Sequence, residues 1–185
     1  FEHHAVLHTC EHLKRQGFEI IYLPVDSEGY VTAEQVKNAI TEKTAMVSVM
    51  YANNEIGTIQ PISEIGQVCR DAGVLFHTDA VQAVGHVEIY VKEKNIYMFS
   101  LSGHKIHAPK GVGALFVRKG VRMVNFIDGG AQERNRRGGT ENLASIVGLG
   151  VAMEMAAAGI AERMEKIRQK RDRLIDGILS AVPKT

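Results

Sequence analysis

The stretch Tyr97-Met98-Phe99-Ser100-Leu101-Ser102-Gly103-His104-Lys105 decides the predicted fold. Its first five residues form a short apolar run, which predicts a buried β-strand. The strand leads into Ser-Gly-His-Lys, so a lysine follows it in a polar loop. In open α/β sheets, ligands bind outside the carboxyl ends of the strands. The stretch therefore predicts an α/β fold with Lys105 at a ligand-binding edge of the sheet.

Short apolar runs alternate with helical patterns along the chain. The predicted strands are 18–23, 45–50, 74–78, 97–101 and 113–118, and the predicted helices are 4–16, 32–40 and 61–72. Because parallel strands need crossover helices and are buried on both faces, this order predicts a mostly parallel sheet with helices on both faces. A long helix is predicted over 143–181, with a bend near 148–150 or at Gly159. We expect its first half to be buried and its charged second half to be solvated.

The composition excludes several classes of protein. The 185 residues are 45% hydrophobic and 23% charged, with a net charge of +1, which gives no reason to expect binding to nucleic acid or to a membrane surface. No apolar run approaches the roughly 20 residues of a membrane helix. Two cysteines are too few for a disulfide framework, which favours the cytoplasm. The first residues show no signal-peptide pattern, and we expect the sequence to be a fragment of a longer protein.

A second predicted strand end carries a residue that complements Lys105. The apolar run 74–78 ends on Asp79, and a helix is predicted to begin at Ala80. Pyridoxal phosphate needs an amine that forms an imine and a carboxylate that faces its pyridinium nitrogen. Asp79 also fits the N-cap of the following helix, and the two roles are compatible. Gln82, one helical turn later, can reach the same side of the ring. The pair predicts the cofactor-binding domain of a pyridoxal-phosphate enzyme.

Two polar segments are candidates for binding an anion such as a phosphate. Ser102 and His104 flank a glycine beside Lys105, although a polar loop without a ligand has the same composition. Residues 133–142 combine arginines, two glycines and Thr140 before a predicted helix, which suits an anion site. A flexible basic loop is the alternative for this second segment, and the sequence position does not decide between them.

A row of histidines marks the first predicted helix. His4, His8 and His12 fall on one helical face, a pattern that can bind a metal ion. That face offers no cysteine and no acidic residue at matched spacing beyond Glu11, so we interpret it as a solvated surface and predict no metal site. His3 immediately precedes the helix and is the better candidate for an acid/base that stacks on a cofactor ring.

Five motifs together resemble the cysteine desulfurase family of NifS and IscS type, within the class V aminotransferase superfamily of fold-type I pyridoxal-phosphate enzymes. They are Glu2-His3-x-Ala5-Val6, Asn53-Asn54-Glu55-Ile56-Gly57, His77-Thr78-Asp79-Ala80-Val81-Gln82, Ser100-Leu101-Ser102-Gly103-His104-Lys105 and Arg137-Gly138-Gly139-Thr140-Glu141-Asn142. They occur in the family's order and cover nearly the whole chain. The resemblance implies that residues 1–150 are part of the large cofactor-binding domain. It also implies that residues 151–185 form a helix leading toward a small C-terminal domain.

The resemblance implies roles around the cofactor ring. Lys105 would bind pyridoxal 5'-phosphate as an imine, and Asp79 would pair with the ring nitrogen. Asn54 and Gln82 would contact the side of the phenolate oxygen. His3 would stack on the ring and transfer protons, which makes it the second catalytic residue beside Lys105.

The resemblance also implies a phosphate site shared between subunits. Ser102 and His104 would hold the phosphate, and Thr140 would join them from the other subunit of a homodimer.

Members of the resembling family take sulfur from L-cysteine as an enzyme persulfide, leave L-alanine and supply iron–sulfur cluster assembly or tRNA thiolation. The sulfur acceptor would be an iron–sulfur scaffold or a tRNA-thiolation protein. Cys10 and Cys69 lie in predicted helices, so neither is expected to be the nucleophile, and the fragment should be inactive. The alternatives are another class V enzyme, such as a selenocysteine lyase or an aminotransferase, and a non-catalytic fragment that binds cofactor or dimerises.

Overall fold

The computed structural model describes residues 1–183. Its elements are α1 (His4–Arg15), α2 (Ala33–Ala39), β1 (Met46–Ser48), α3 (Ile62–Asp71), β2 (Leu75–Asp79), β3 (Met98–Ser102), β4 (Gly113–Val117), α4 (Gln132–Asn135), α5 (Leu143–Ala157) and α6 (Ile160–Ala181). A 3-10 turn at Gly103–Ile106 directly follows β3. The sheet order is β1-β2-β3-β4, with β1, β2 and β3 parallel and β4 antiparallel to β3. The predicted mostly parallel sheet with helices is confirmed.

Parallel pairing brings the carboxyl ends of three strands to one edge of the sheet. Asp79 at the end of β2 is in register with Ser100 of β3. The pairing continues beyond β1, where the N–H of Tyr51 donates to the carbonyl of Asp79 at 2.8 Å. Neighbouring strands lie about 4.8 Å apart. We call residues 49–54, 79–82 and 102–105 the carboxyl edge, because these segments leave the three strands side by side.

The main hydrophobic core lies between the sheet and the helices α2 and α3. Ile65 and Cys69 of α3 and Phe76 of β2 are fully buried in it. The spacing of Ile62, Ile65 and Cys69 follows one helical face, and all three residues are buried. Gly66 on the same helix allows the carbonyl of Lys94 to approach, since a Cβ there would lie 2.0 Å from that oxygen.

The three predicted N-terminal helices are present, and each of their ends lies within one residue of the predicted position. Thr32 caps α2 in a capping box with Gln35, which fixes the start of that helix. Gly17 follows α1 with a φ of +94°, a conformation that favours glycine after a helix.

Two local predictions are wrong. Residues 18–23 form no strand; Phe18 and Ile21 are more than half exposed, and the Tyr22 hydroxyl donates to Glu11 of α1 at 3.0 Å. This apolar run therefore passes beside α1 and forms no ladder with a strand of the described sheet. The helix predicted from Ala80 is instead a series of turns over 81–86, closed by bonds from the Ala83 and Val84 N–H groups to the Ala80 carbonyl.

The long helix predicted over 143–181 is two helices. The chain bends by 73° between α5 and α6, at Gly159, whose φ is +64°. The bend at Gly159 was one of the two predicted positions. No single helix in residues 1–183 is long and apolar enough to cross a membrane; α5 and α6 meet that criterion only as a bent pair.

The burial predicted for the first half of this helix is wrong in the described chain. Only Leu149 and Ala152 of α5 are buried, where they pack on Leu101 and Ile106 beside the 3-10 turn. Only one stripe of the helix faces this cluster, so the other large apolar side chains of α5 are exposed. These are Leu143, Ile146, Val147, Val151, Met153 and Met155. The solvated, charged surface predicted for the second half is present on α6, where exposed ion pairs such as Lys166–Glu162 form.

Candidate active site

Asp79 is the buried acid of the carboxyl edge. Its side chain is at the end of β2, and the residue is only 5% exposed. One carboxylate oxygen, Oδ1, accepts a hydrogen bond from the Val81 N–H at 2.9 Å. The other oxygen has no hydrogen-bond donor among residues 1–183. A buried carboxylate is costly unless a charged or polar partner satisfies it, so the free oxygen suits a cationic ligand group.

Lys105 lies in the 3-10 turn at the end of β3. The turn is held by Ile106, whose side chain is buried, and it ends at His107 with a left-handed φ of +67°. The Gly103 N–H donates to the Val112 carbonyl at 2.9 Å, and a Cβ on Gly103 would lie 2.9 Å from the Val112 side chain. The Lys105 residue is exposed, and its ammonium group makes no hydrogen bond or ion pair within residues 1–183. An unpaired primary amine therefore lies in the turn that follows β3, the strand that pairs with β2.

Ser102 and His104 form a pair within this turn. The Ser102 hydroxyl and His104 Nδ1 are 2.7 Å apart and hydrogen-bonded. Together with Lys105 they present a hydroxyl, an imidazole and an ammonium group on one short segment. Such a set can bind a phosphate group through charge-assisted hydrogen bonds.

The segment that precedes α1 is attached to the carboxyl edge. His3 is the N-cap of α1, and its Nδ1 accepts the Ala5 N–H at 3.1 Å while the residue remains exposed. The Glu2 carboxylate accepts the Met50 N–H at 2.5 Å, and the Asn53 side chain donates to the Phe1 carbonyl at 2.7 Å. These contacts bring His3 to the same edge as Asp79. The sequence indicated His3, but it gave no indication that Glu2 and Asn53 hold it there.

Burial is the main cause of the pKa shifts of two residues that interact with Asp79, namely Glu2 and His77. Burial raises the pKa of Glu2 to about 7, the Met50 N–H opposes this shift, and the negative charge of Asp79 adds to it. Burial also lowers the pKa of His77, although Asp79 partly offsets this. The His77 ring hydrogen-bonds Ser48 at 2.8 Å and Ser100 at 2.9 Å, so one side chain joins all three parallel strands.

Three other residues from the sequence analysis are less constrained. Asn54 is exposed after β1, and Gln82 is partly buried in the turn after Asp79. Thr140 is exposed in the loop after α4, and no hydrogen bond joins it to the Lys105 turn among residues 1–183. That loop is tied back by the Gly138 N–H, which donates to the Ile127 carbonyl at 2.9 Å. The described chain therefore brings Asp79, Lys105 and their neighbours to one edge, and leaves Thr140 outside this set.

The residues of the carboxyl edge fit pyridoxal phosphate. The cofactor needs a primary amine, a carboxylate for its ring nitrogen and donors for its phosphate. Lys105 supplies an unpaired amine, and Asp79 supplies a buried carboxylate with a free oxygen. Ser102 and His104 supply polar groups for the phosphate.

Comparison with known proteins agrees with this geometry. The aminotransferase class-V family matches residues 1–185. The chain belongs to this family. Cysteine desulfurase IscS of Clostridium botulinum (strain Hall) is 56% identical over 182 residues, which are 98% of this chain and 46% of that protein. Cysteine desulfurase NifS of Azotobacter vinelandii is 50% identical over 182 residues, or 98% of this chain and 45% of that protein. This class V chain therefore spans about half the length of the curated relatives that it matches.

Solved structures show the same fold. A NifS-like protein superposes with a TM-score of 0.93 at 40% identity, covering 97% of this chain and 50% of the other. SspA in complex with cysteine gives a TM-score of 0.82 at 44% identity, covering 91% and 50% of the two chains. The class V membership and the similarity to NifS- and IscS-type proteins that the five motifs predicted are confirmed.

Proposed function

We propose that the protein containing this chain is a pyridoxal-phosphate-dependent cysteine desulfurase. It would convert L-cysteine to L-alanine and pass the sulfur to a cysteine thiolate of the enzyme, which becomes a persulfide. The observation that carries the proposal is the pair at neighbouring strand ends, where Lys105 has an unpaired amine and Asp79 has a buried carboxylate with one free oxygen. The IscS and NifS relatives and the SspA structure with cysteine support the choice of substrate.

The residues of the carboxyl edge have separate tasks in this proposal. Bound pyridoxal phosphate would supply an electron-accepting ring. Lys105 would attach the cofactor, and the Asp79 carboxylate would keep a proton on its ring nitrogen. His3 would cover the ring and transfer a proton through its imidazole. Asn54 and Gln82 would donate to the ring oxygen.

The phosphate is bound by the turn that carries Lys105. Ser102 and His104 hold it from this chain, and Thr140 reaches it from a second copy in a homodimer. We therefore place the complete site at a subunit interface. Residues 1–150 belong to the large cofactor domain, and 151–185 lead toward a small C-terminal domain; residues 184 and 185 lie outside the described part of the chain.

Neither cysteine of this chain is the sulfur acceptor in our proposal, because the thiolate is the reactive form. Burial raises the pKa of Cys69 to about 11, and the residue is fully buried in the main core. Burial, together with the charges of Glu2 and Glu11, also raises the pKa of Cys10. The accepting cysteine would belong to the rest of the protein, and this chain alone would have no desulfurase activity. The enzyme would act in the cytoplasm and deliver sulfur to an iron–sulfur scaffold or a tRNA-thiolation protein.

The test uses the full-length protein. After incubation with pyridoxal phosphate, borohydride reduction and peptide mapping should place the pyridoxyl group on Lys105. Lys105→Ala should abolish both this label and the formation of sulfide and alanine from L-cysteine. Lys110→Ala is the matched control, since Lys110 is an exposed lysine of the same loop, and it should retain both. A label on another lysine would refute the site, and exclusive turnover of selenocysteine would refute the proposed substrate.

A further inference from the structure

Glu2 is a partly buried residue, and the proposed chemistry leaves its carboxyl group without a task. Its Oε1 accepts the Met50 N–H, and its Oε2 is buried without any hydrogen-bond partner in the described chain. Burying a carboxyl oxygen without a partner costs free energy. Glu2 also lies close enough to Asp79 for their charges to interact, which adds to this cost. A single backbone hydrogen bond is small compensation, so this placement points to a role at the site.

The backbone at this position links Glu2 to His3. His3 has an extended conformation, with φ −66° and ψ 150°, before α1 begins. The Glu2 carboxylate accepts the Met50 N–H, whereas His3, the next residue along the chain, is exposed. The bond to Met50 therefore restrains the backbone that carries His3. The bond from Asn53 to the Phe1 carbonyl holds the preceding residue to the same edge.

We propose that Glu2 is a positioning residue that holds His3 at the carboxyl edge of the sheet by accepting the Met50 N–H. This inference rests on the proposed function, in which His3 transfers a proton. Glu2 touches neither substrate nor cofactor; it acts through the orientation of the histidine that follows it.

The surroundings of Glu2 indicate which form of the side chain does this. Burial and the charge of Asp79 from β2 both disfavour a negative charge on Glu2, whereas the Met50 N–H favours it. On α1, the Cys10 thiol is the titratable group that senses Glu2, and the His77 ring on β2 senses Asp79. A glutamine keeps the oxygen that accepts from Met50 and removes the charge. Glu2→Gln should therefore preserve the positioning, and Glu2→Ala should remove it.

The first measurement needs no activity. The Ala5 N–H donates to His3 Nδ1, so in the cofactor-free full-length protein we expect this cap to slow hydrogen exchange at Ala5. Glu2→Ala should raise the exchange rate at Ala5 about tenfold, as expected for the loss of one hydrogen bond. Glu2→Gln and the control Glu19→Ala should leave it unchanged, since Glu19 is exposed and its side chain forms no hydrogen bond or ion pair within residues 1–183. Unchanged exchange at Ala5 in Glu2→Ala would overturn the inference.

The second measurement is a double-mutant cycle on turnover. Glu2→Ala should lower kcat about tenfold while KM for L-cysteine and the dissociation constant of pyridoxal phosphate change less than about twofold. In a His3→Ala background the same substitution should have no further effect on kcat, because the two residues act through one imidazole. An additive loss would show that Glu2 does not act through His3. If His3→Ala itself turns over normally, the proposed role of His3 fails, while exchange at Ala5 still decides the role of Glu2.

Discussion

Two neighbouring strand ends, those of β2 and β3, carry the two halves of the candidate site in contrasting surroundings. At the end of β2, Asp79 is buried and capped by the Val81 N–H, directly after the fully buried Thr78. At the end of β3, Lys105 is exposed in a turn, and its ammonium group forms no hydrogen bond or ion pair within residues 1–183. The acid is therefore held by the core of this chain, whereas the amine has freedom to meet a ligand. A rigid acid beside an adaptable amine is a suitable arrangement for attaching and orienting one ligand.

The largest effect is expected from a substitution of Asp79, the buried acid at the end of β2. Asp79→Asn keeps the shape and the bond to Val81 but removes the charge, so the ring nitrogen loses the group that keeps it protonated. We expect kcat for L-cysteine to fall about a thousandfold, in the range found for removal of an electrostatic group from a site. Thermal unfolding should change little. Turnover near the wild-type level would mean that the Asp79 carboxylate serves only to accept the Val81 N–H.

The next prediction concerns the exposed turn that carries Lys105, and Thr140, which is proposed to reach it from a second subunit. If Thr140 completes the phosphate site from a second subunit, mixing Lys105→Ala and Thr140→Ala proteins should restore activity. One site of each heterodimer then carries both lesions and the other carries none. Random exchange should return about a quarter of wild-type activity, because half of the dimers are mixed and each has one intact site. No recovery, despite subunit exchange shown by differently tagged subunits, would place Thr140 in its own chain's site.

A smaller effect is expected where the strands are joined beneath the site. Ser48→Ala removes one of the two hydrogen bonds that hold the partly buried His77 ring. We expect the free energy of unfolding to fall by about 1–2 kcal/mol, since the ring nitrogen loses its partner. Denaturant unfolding measures this, with Ser27→Ala, in an exposed turn, as the control. A loss of unfolding free energy no larger than that of the control would show that the hydrogen bond between Ser48 and His77 adds no stability.

The smallest expected effect is a pH dependence of stability that arises from Glu2 and His77, two residues whose pKa values are affected by Asp79. The pKa of Glu2 is raised from 4.5 to about 7, so the folded protein holds a proton that the unfolded chain loses. The free energy of unfolding contributed by Glu2 therefore falls as pH rises from about 4.5 to 7. His77 acts in the opposite direction, because its pKa is lowered from 6.5 and its neutral form is favoured as pH rises.

Glu2→Gln removes only the first of these two contributions. Relative to wild type, the variant should gain about 1 kcal/mol of stability between about pH 5 and pH 8, a modest value because the site is partly open to solvent. Chemical denaturation at both pH values measures the difference. Glu19→Gln should show none, and a flat difference for Glu2→Gln would contradict the raised pKa.

The sequence predicted which residues lie at the carboxyl edge better than it predicted the contacts among them. Asp79 and Lys105 were found because strand ends of a parallel sheet share one edge, and a short apolar run predicts each strand. The bond from Met50 to Glu2 joins residues 48 positions apart, so no local pattern indicates it. The assignment of roles to these residues stays a prediction.

The errors in the fold have a similar cause. Residues 18–23 are as apolar as a strand, but a strand also needs a neighbour to pair with, and pairing is not a local property. The apolar composition of α5 predicted burial, yet burial requires a surface opposite each face of the helix. Within residues 1–183 only the stripe with Leu149 and Ala152 has such a surface.

The packing of that stripe has a consequence for the order of events during synthesis. The turn with Lys105 is supported from α5, where Leu149 packs near Ile106 and Gly148 allows Pro109 to approach within 3.0 Å of where a Cβ would lie. The β2 end with Asp79 depends on residues that precede it or follow closely. A ribosome adds about 5–20 residues per second, so the support for the Lys105 turn is made roughly 2–9 s after the lysine itself. During synthesis, the strand end that carries Asp79 should therefore form before the turn that carries Lys105 can pack on α5. Cofactor attachment should accordingly be a late event in folding.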